Sequence, residues 1–473
     1  MDIILNLIWI LFIVSVIFLE NKNPGEALFW TVIIVCTRYV GIVLYMLFGS
    51  TLSIKLTMFV RKQRFTTAWR AHAYNSVSSA KTQDAESFSR VSSQVIGFNS
   101  SYNDSRLTAC SSHTFYTDGI AHYEQLFKDI SEATENIHIL FYTIHNDETG
   151  HQLVSLLTEK AKQGVKVWVM FDFLANMRST PRMYRELKKA GGVVKRLKPL
   201  IHQFRSHRKI VVIDNKIGYI GGMNVGNKYA GCDRLKTPWR DTQVRLEGDC
   251  ICELQEYFLK DWVCVISKKQ GLSMMPEFLQ TAQRIRETPK TGGAPCQFIT
   301  GGVDTDKRSI EMCYLSLIRS AEKSIKIQSP YFIPTSSVLD ALKVAASSGV
   351  KVEIMIPGIA SSFFLEPVTR YYCGQMLEVG AKILKYRGYI HAKTITVDDQ
   401  LCCLGSVNTD VRSLALDDEI CGVFYDSDFV AEYLGIFEKD SESCDEYSLE
   451  EFQRRGGMDK FAEHVFLLAA PLM

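Results

Sequence analysis

The chain has 473 residues, of which 47% are hydrophobic and 22% are charged, so it is long enough for two or three domains with buried cores. Its formal net charge of +2 gives no reason to expect a nucleic acid or another polyanion as a partner. The 13 cysteines include no C-x-x-C pair and no Cys/His ligand spacing, so we expect reduced, mostly buried thiols and no zinc site.

Two apolar segments at the N-terminus predict a transmembrane hairpin over residues 1–60. The second segment, residues 27–49, would span roughly 34 Å as a helix, which is enough for the hydrocarbon core of a bilayer. The first, residues 3–19, would span about 26 Å and is slightly short. Pro24 and Gly25 lie in the polar turn between the two segments.

The charges around these segments predict their orientation. A basic cluster follows the second segment, whereas the turn has one lysine balanced by two glutamates, so the positive-inside rule predicts that both ends of the hairpin, and the large C-terminal part, lie on the cytoplasmic side of the cell membrane. A cleaved signal peptide is disfavoured because no Lys or Arg precedes the first segment. Arg38, inside the second segment, is expected to pair within the hairpin, to bind a lipid phosphate or to snorkel.

The rest of the chain contains an internal duplication. Residues 61–107 are predicted to be a polar linker, because 76–105 are rich in serine. After this linker, blocks such as "KQGVKVWVMFD" and "SSGVKVEIMIP" recur in the same order in 108–285 and in 286–473. Each half alternates strands with helical segments of 10–15 residues, which predicts an α/β fold with two similar lobes. Matching motifs could then meet at the interface between the lobes.

One spacing of five residues occurs in both halves. The first copy is His207, Lys209, Asp214, Gly221 and Asn224, and the second is His391, Lys393, Asp398, Gly405 and Asn408. A single H-x-K is best interpreted as a core histidine beside a surface lysine. The full pattern arises by chance in roughly one chain in ten thousand at average residue frequencies. Two copies within a duplication therefore predict a function.

The geometry of a strand divides the pattern into two groups. If "SHRKIVVID" is a strand, His207 and Lys209 lie on one face, about 6.6 Å apart along the strand. Asp214 then faces the other way or lies past the strand end, and Asp398 does the same in the second copy. Both aspartates belong to the candidate catalytic set, but an orienting or structural role suits them better.

The residue types indicate phosphate chemistry. A lysine is a point cation for a phosphate oxygen, a neutral imidazole can attack phosphorus, and a protonated imidazole can release an alcohol. Exchange of a phosphodiester by double displacement needs both histidine roles, which explains why the motif occurs twice. Asn224 and Asn408 are candidate phosphate-binding residues. Together with the two lysines they could neutralise the developing charge, so no metal and no cofactor is expected.

Both copies match H-x-K-x(4)-D-x(6)-G-[GS]-x-N in full, and the chain therefore resembles the phospholipase D superfamily, which carries this HKD motif. Further stretches look like the bacterial cardiolipin synthases of that superfamily. They are "PWRDTQVRLEG" (238–248), "QSPYFIP" (328–334), "GSVNTDVRS" (405–413) and the N-terminal hairpin. The resemblance covers nearly the whole chain.

The resemblance implies that two phosphatidylglycerol molecules react to give cardiolipin and glycerol through a phosphatidyl-histidine. Family precedent favours His207 as nucleophile and His391 as acid and base, although the sequence itself does not order them. Asp241, which follows the first motif, is the candidate for the carboxylate that orients His207, and Glu419, which follows the second, is the candidate for His391. Gln243 is a departure, because the family often has His there, and so is "LDDEI" around Glu419. These departures affect substrate preference more than the class of reaction.

Other functions remain open at this point. A phospholipase D-type hydrolase would pass the same intermediate to water, and another phosphatidyltransferase would pass it to a different alcohol. A nuclease should have basic stretches interleaved with aromatic residues, and the small net charge and the hairpin argue against one. Two intact motifs disfavour a non-enzymatic membrane protein. The expected partners are phosphatidylglycerol and the bacterial membrane, without nucleic acid, and no oligomeric state is predicted.

Overall fold

A computed structural model describes residues 2–19, 24–48, 88–177, 181–197, 205–231, 239–266, 292–302, 308–359 and 362–467. The strands are β1 Thr108–Cys110, β2 Ser112–Tyr116, β3 Asn136–Phe141, β4 Lys166–Asp172, β5 Val193–Leu197, β6 Ile210–Ile213, β7 Ile217–Gly221, β8 Trp239–Arg240, β9 Gln243–Glu247, β10 Ala294–Gly301, β11 Ser324–Gln328, β12 Phe332–Ile333, β13 Lys351–Pro357, β14 Lys382–Tyr386, β15 Tyr389–Ile390, β16 Thr394–Val397, β17 Leu401–Gly405, β18 Thr409–Asp410, β19 Glu419–Phe424 and β20 Cys444–Tyr447. The helices are α1 Asp2–Leu19, α2 Pro24–Thr37, α3 Tyr39–Phe48, α4 Arg90–Tyr102, α5 Gly119–Glu132, α6 Glu148–Lys162, α7 Arg185–Lys189, α8 Ile251–Val265, α9 Ser309–Ser320, α10 Ser336–Ser347, α11 Leu365–Leu377, α12 Val411–Ala415, α13 Ser427–Glu442, α14 Leu449–Gln453 and α15 Gly457–Leu467, with a 3-10 turn at Pro181–Tyr184.

The first lobe is built on a seven-stranded sheet in the order β2-β9-β7-β6-β3-β4-β5. β3, β4 and β5 are parallel, whereas β6, β7 and β9 run antiparallel to their neighbours. Every residue of β3 is buried, because helices and the second lobe cover the two faces of the sheet. This explains why four of its six residues are apolar, and the two polar ones, Asn136 and His138, are buried with them.

The second lobe repeats this topology within a nine-stranded sheet, in the order β1-β10-β19-β17-β16-β11-β13-β14-β20. Its parallel strands are β11, β13 and β14, and its antiparallel strands β16, β17 and β19 match β6, β7 and β9 of the first lobe. The prediction of two tandem α/β lobes is therefore confirmed. β1 comes from the chain before the first lobe but pairs with β10 of the second.

The two lobes share one hydrophobic core. Trp168 and Phe258 of the first lobe and Phe298 and Tyr433 of the second belong to the same cluster of buried side chains. Full burial of such a side chain contributes about 1.5–3 kcal/mol, so a core drawn from both lobes strongly favours their docked arrangement. The interface between the lobes is therefore a part of the folded core.

Helix α4 lies within residues 61–107, which were predicted to be a linker. Val91, Val95 and Ile96 of this helix are buried in the core of the second lobe. Two valines four residues apart place an apolar stripe on one face of an otherwise serine-rich helix, and composition alone concealed that stripe. Residues 88–107 are thus part of the folded lobe, and 61–87 lie outside the described residues.

The N-terminal apolar segments form α1, α2 and α3. The second segment is divided at Arg38, whose φ is 51°. Many apolar side chains of these helices are exposed, such as Ile3 at 77% and Leu28 at 67%. Within the described part of the chain, no helix combines the length and the apolarity needed to cross a membrane. The predicted transmembrane hairpin is thus not confirmed by the structure.

A buried ion pair between Arg208 and Asp261 lies at the interface between the lobes, and we use it to predict how much such a pair contributes to stability. Arg208 donates two hydrogen bonds to Asp261, at 2.7 and 2.8 Å, and another to the carbonyl of Gly301 in the second lobe. We expect Asp261→Ala to lower the free energy of unfolding by about 3–5 kcal/mol, because it leaves a buried guanidinium unpaired. Chemical denaturation would measure this. The control is Glu450→Ala, which removes a carboxylate from an exposed pair and should change stability little.

Candidate active site

Each copy of the repeated pattern folds as a β-hairpin whose turn begins at the aspartate of the pattern. β6 and β7 are joined through Asp214 and Asn215, with φ of 51° and 54°. β16 and β17 are joined through Asp398 and Asp399, with φ of 52° and 55°. Asn and Asp adopt this left-handed conformation more readily than other residues with a Cβ. The spacing from histidine to aspartate therefore equals the length of the first hairpin arm.

The two aspartates lie outside the site, which corrects their inclusion in the candidate catalytic set. The carboxylate of Asp214 accepts hydrogen bonds from the backbone N–H groups of residues 134–136, at 2.7–2.9 Å. Asp398 accepts equivalent bonds from residues 322–324, at 2.6–2.7 Å. Seven residues of extended chain place each aspartate about 23 Å from its histidine. Both carboxylates fix the start of a neighbouring strand.

The two histidines lie just before the strands in which they were predicted. β6 begins after Lys209, because the preceding segment leaves its own sheet and pairs with the other lobe. The backbone N–H of His207 donates to the carbonyl of Asp418, at 2.9 Å. In the same way the N–H of His391 donates to the carbonyl of Arg240, at 2.6 Å, beside the pairing of β15 with β8. Each histidine is thus held by backbone of the opposite lobe.

Each imidazole also contacts a carboxylate of the opposite lobe. Nδ1 of His207 lies 2.8 Å from Oε1 of Glu419 and 3.1 Å from the carbonyl of Ser406. Nδ1 of His391 lies 2.5 Å from Oδ2 of Asp241. Each carboxylate therefore contacts the other histidine than the one that the sequence analysis expected. We assign the ring proton to Nδ1 in both residues, because the carbonyl of Ser406 and the ionised carboxylate of Asp241 can only accept. The ammonium of Lys393 lies 2.9 Å from Nδ1 of His391 and donates instead to the carbonyl of His391. This tautomer leaves both Nε2 atoms free to react.

The glycine or serine position of the motif accommodates each carboxylate. A Cβ at Gly222 would lie 2.1 Å from Oδ1 of Asp241, so a side chain there would displace the carboxylate. Ser406 occupies the matching position in the second lobe, and its hydroxyl donates to Oε2 of Glu419. The first carboxylate therefore needs space at this position, and the second receives a hydrogen bond from it.

Two buried lysines supply the positive charge of the site. Lys209 and Lys393 are 0% and 2% exposed, and each ammonium donates to the carbonyl of the histidine two residues earlier. Burial lowers the pKa of Lys209 to about 7 and that of Lys393 to about 8. Burial and the lysines also lower the pKa of both histidines, to about 3 for His391 and well below the usual value for His207. Both imidazoles are therefore neutral at pH 7.

The two orienting carboxylates differ in charge. Burial raises the pKa of Glu419 to about 7. Asp241 is equally buried, but Lys393 and His391 outweigh burial and lower its pKa. Asp241 is therefore an anion at neutral pH, whereas Glu419 is partly protonated. An adjacent anion stabilises a proton on imidazole, so the environment favours proton uptake by His391 over His207.

The two asparagines of the pattern have different surroundings. Oδ1 of Asn224 accepts from the backbone N–H of Thr143, at 3.3 Å, and Nδ2 donates to the hydroxyl of Tyr229, at 3.3 Å. Oδ1 of Asn408 is buried and has no hydrogen-bond partner among the residues that the structure describes. Asn224 therefore has one amide hydrogen left for a substrate oxygen, since its other hydrogen is donated to Tyr229.

Aromatic side chains that the sequence analysis did not assign line the imidazoles. The ring of Tyr142 lies 4.9 Å from that of His207, and the rings of Trp239 and Tyr389 lie 5.0 and 6.1 Å from that of His391. A sequence signal existed, because Trp239 and Tyr389 each precede a site residue by two positions. Strand periodicity places such residues on one face.

Comparison with known proteins gives consistent matches along the chain. A family model described as "Cardiolipin synthase, PLD-like domain" matches residues 126–262 and 314–441, and one described as "Phospholipase_D-nuclease N-terminal" matches residues 7–50. The chain is 33% identical to the major cardiolipin synthase of Bacillus subtilis (strain 168), over 100% of this chain and 99% of that protein. It is 31% identical to cardiolipin synthase 2 of Staphylococcus epidermidis, over 99% and 96% of the two chains.

A solved structure gives an independent match to the fold. The crystal structure of phosphatidylserine synthase from Haemophilus influenzae Rd KW20 aligns with a TM-score of 0.62, over 80% of this chain and 100% of that one. At 14% identity the match shows a shared fold and nothing finer.

The contacts between histidine and carboxylate predict the effect of replacing each carboxylate by an amide of the same size. We expect Asp241→Asn and Glu419→Gln to lower kcat on the order of 10²- to 10⁴-fold with little change in KM, because the amide favours the wrong imidazole tautomer. Initial rates on phosphatidylglycerol would measure this. Asp214→Asn is the matched control, since it should reduce stability and leave kcat of the folded protein unchanged. Equal losses of kcat in all three variants would contradict the assignment.

The lowered lysine pKa values predict the alkaline limb of the pH profile. A lysine is a cation only below its pKa, so kcat/KM should fall as the pH rises through 7 and 8, where Lys209 and Lys393 lose their protons. In Lys393→Arg the guanidinium stays charged, so the loss near pH 8 should disappear while the loss near pH 7, assigned to Lys209, remains. A loss near pH 8 that persists in this variant would show that another group titrates there.

Proposed function

Because this chain belongs to the family of phospholipase D-like cardiolipin synthases, we propose that it makes cardiolipin by transferring a phosphatidyl group from one phosphatidylglycerol to another. It is a phosphatidyltransferase of the phospholipase D superfamily. The observation that carries the proposed mechanism is the pair of histidines, each oriented by a carboxylate of the opposite lobe.

In the first half-reaction, Nε2 of His207 attacks the phosphorus of the first phosphatidylglycerol. A P–N bond forms and the P–O bond to the headgroup glycerol breaks. His391 is neutral without substrate, so it takes up a second proton, on Nε2, when the phosphodiester anion binds, and it donates this proton to the departing oxygen. The neutral state of His207 supports its role as nucleophile, because only an unprotonated nitrogen has a lone pair to donate. The anionic Asp241 supports His391 as the group that carries the proton.

In the second half-reaction, the acceptor is a headgroup hydroxyl of the second phosphatidylglycerol. His391 removes its proton, the oxygen attacks phosphorus, and the P–N bond breaks to restore His207. The products are cardiolipin and glycerol. One phosphodiester replaces another, so the exchange is reversible and needs no nucleotide.

The remaining residues of the pattern stabilise the phosphate. Lys209 and Lys393 carry positive charge inside a site from which water is largely excluded, where it acts strongly on the developing negative charge. The free amide hydrogen of Asn224 and the amide of Asn408 are the proposed donors to phosphate oxygens. We assign no catalytic role to Asp214 or Asp398.

The N-terminal helices would hold the enzyme at its lipid substrates. Their exposed apolar side chains and the match of residues 7–50 to an N-terminal family model support membrane association. We infer that residues 1–60 form the two-segment anchor in the membrane. The basic residues that follow place the catalytic lobes on the cytoplasmic side in this proposal.

A lipid assay tests the proposed reaction. Purified protein in phosphatidylglycerol vesicles containing EDTA should form cardiolipin and free glycerol in equal amounts. His207→Ala and His391→Ala should each lose at least about 10³-fold in rate, because each removes a reacting group. Phosphatidic acid as the main product would instead identify a hydrolase, in which water takes the place of the acceptor.

Trapping the intermediate tests the order of the histidines. After reaction with phosphatidylglycerol labelled in its phosphate and quenching with detergent at alkaline pH, which preserves the acid-labile P–N bond, covalent label should remain on His391→Ala and be absent from His207→Ala. The reverse pattern would exchange the two roles and leave the reaction unchanged.

A further inference from the structure

The C-terminal helix α15 is attached to the protein through charged residues. The carboxylate of Glu463, which is 1% exposed, binds Arg370 of α11 at 2.8 Å and Arg455 at 2.6 Å. Arg370 also pairs with Asp459, at 3.2 Å. Beside these ion pairs, Phe466 and Leu467 at the end of the helix pack against a small apolar cluster of Ile333 and Val368, so both kinds of contact hold the helix.

The outward face of the same helix is apolar. Met458, Phe461 and Val465 are 80%, 65% and 43% exposed. Their spacing of three and four residues places them on one side of the helix. The polarity of α15 is therefore partly inverted, because the carboxylate of Glu463 faces the protein while these three apolar side chains face outward.

A neighbouring loop extends this apolar face. Phe363 and Phe364, which are 75% and 57% exposed, contact the ring of Phe466 of α15, with centroids 5.7 and 5.3 Å apart. Ile359, at 47% exposure, lies in the same loop. We define the C-terminal apolar surface as Ile359, Phe363, Phe364, Met458, Phe461 and Val465. Single exposed apolar residues are ordinary on a soluble protein, but two adjoining elements that present six together indicate a binding surface.

This surface adjoins a small cavity in the second lobe. Ile359 and Leu365 line the cavity together with Tyr331. The hydroxyl of Tyr331 lies 3.4 Å from that of Tyr389, whose ring is stacked against His391. Two tyrosine side chains therefore lie between the cavity and His391, so the C-terminal apolar surface is on the His391 side of the active site.

The chemistry of the surroundings fits an anionic bilayer better than a protein. Lys460 is exposed on α15 beside the apolar stripe, and Lys385 and Arg370 line the adjoining cavity together with Glu366. The six residues that follow Leu467 in the sequence carry no charge. A helix with an apolar face and neighbouring cations is typical of segments that lie in the interface of anionic membranes.

We propose that the C-terminal apolar surface docks on the anionic phospholipid bilayer and brings the His391 side of the active site against the lipid from which the acceptor enters. This membrane contact is separate from the N-terminal segment. The proposal rests on the proposed function, because that function requires two bilayer lipids to reach one site.

The first experiment compares two forms of the same substrate. We expect Phe363→Asp/Phe461→Asp to lower the rate on phosphatidylglycerol vesicles at least about tenfold, because two charges oppose insertion into the bilayer. The rate on short-chain phosphatidylglycerol below its critical micelle concentration should stay within about twofold of wild type, since no surface is then involved. Val344→Asp is the matched control, because Val344 on α10 is 66% exposed and lies outside the surface. Equal losses on both substrates would overturn the proposal.

The second experiment observes the surface without relying on activity. Full-length Phe461→Trp and Val344→Trp are reconstituted in vesicles of phosphatidylglycerol and brominated phosphatidylcholine, and the wild-type emission is subtracted to remove the six native tryptophans. Emission from the Phe461→Trp variant should be quenched and that from the Val344→Trp variant should not. Absence of quenching in the Phe461→Trp variant would overturn the proposal. So would an emission shift of this variant that depends on protein concentration in the absence of lipid, because it would indicate that a second copy of the chain binds this surface. If wild type makes no cardiolipin from either substrate, the proposed function fails while the quenching still decides the docking.

Discussion

At the active site, each lobe supplies the groups that orient the histidine of the other lobe, and the rest of the structure depends on these contacts. His207 of the first lobe is bound by Glu419 and the backbone of the second, and His391 of the second is bound by Asp241 and the backbone of the first. Neither lobe alone holds an oriented imidazole. The shared hydrophobic core is therefore a condition for the chemistry, because it brings each carboxylate to its histidine.

The charges buried along this interface explain why the site is poised for an anionic substrate. Two lysines with lowered pKa values lie beside two neutral imidazoles, and burial disfavours the charged form of all four groups. A phosphodiester anion in the site would compensate the lysine charges and raise the pKa values of the histidines. Substrate binding would thus itself favour the protonated histidine that the leaving glycerol requires. The arginines next to the site residues differ from the lysines, because each forms an ion pair with a carboxylate of the protein, Arg208 with Asp261 and Arg240 with Asp440.

The outer surface of the second lobe has one helix with an unusual polarity. On most helices, apolar residues face the core and charges face water. Helix α15 departs from this arrangement, because Glu463 is buried and bound to two arginines while an apolar stripe is exposed. These ion pairs and the small apolar cluster at its end hold the helix while leaving the stripe free. For an enzyme whose substrates stay in a bilayer, an apolar surface on the His391 side of the active site has a direct use. It lets a headgroup enter the site while the acyl chains remain near lipid.

The sequence by itself determined the duplicated α/β lobes and the two histidines and two lysines of the candidate site, because strand and helix periods and the motif spacing are local properties of the backbone. Strand period also indicated that Asp214 and Asp398 turn away from the histidines, and only the structure showed that they bind backbone at the far ends of the hairpins. The burial of α4 and the assignment of Asp241 to His391 and of Glu419 to the other histidine were decided by tertiary structure. These partners lie 150 and 212 residues apart, and no local period relates residues whose contact depends on how two whole sheets pack.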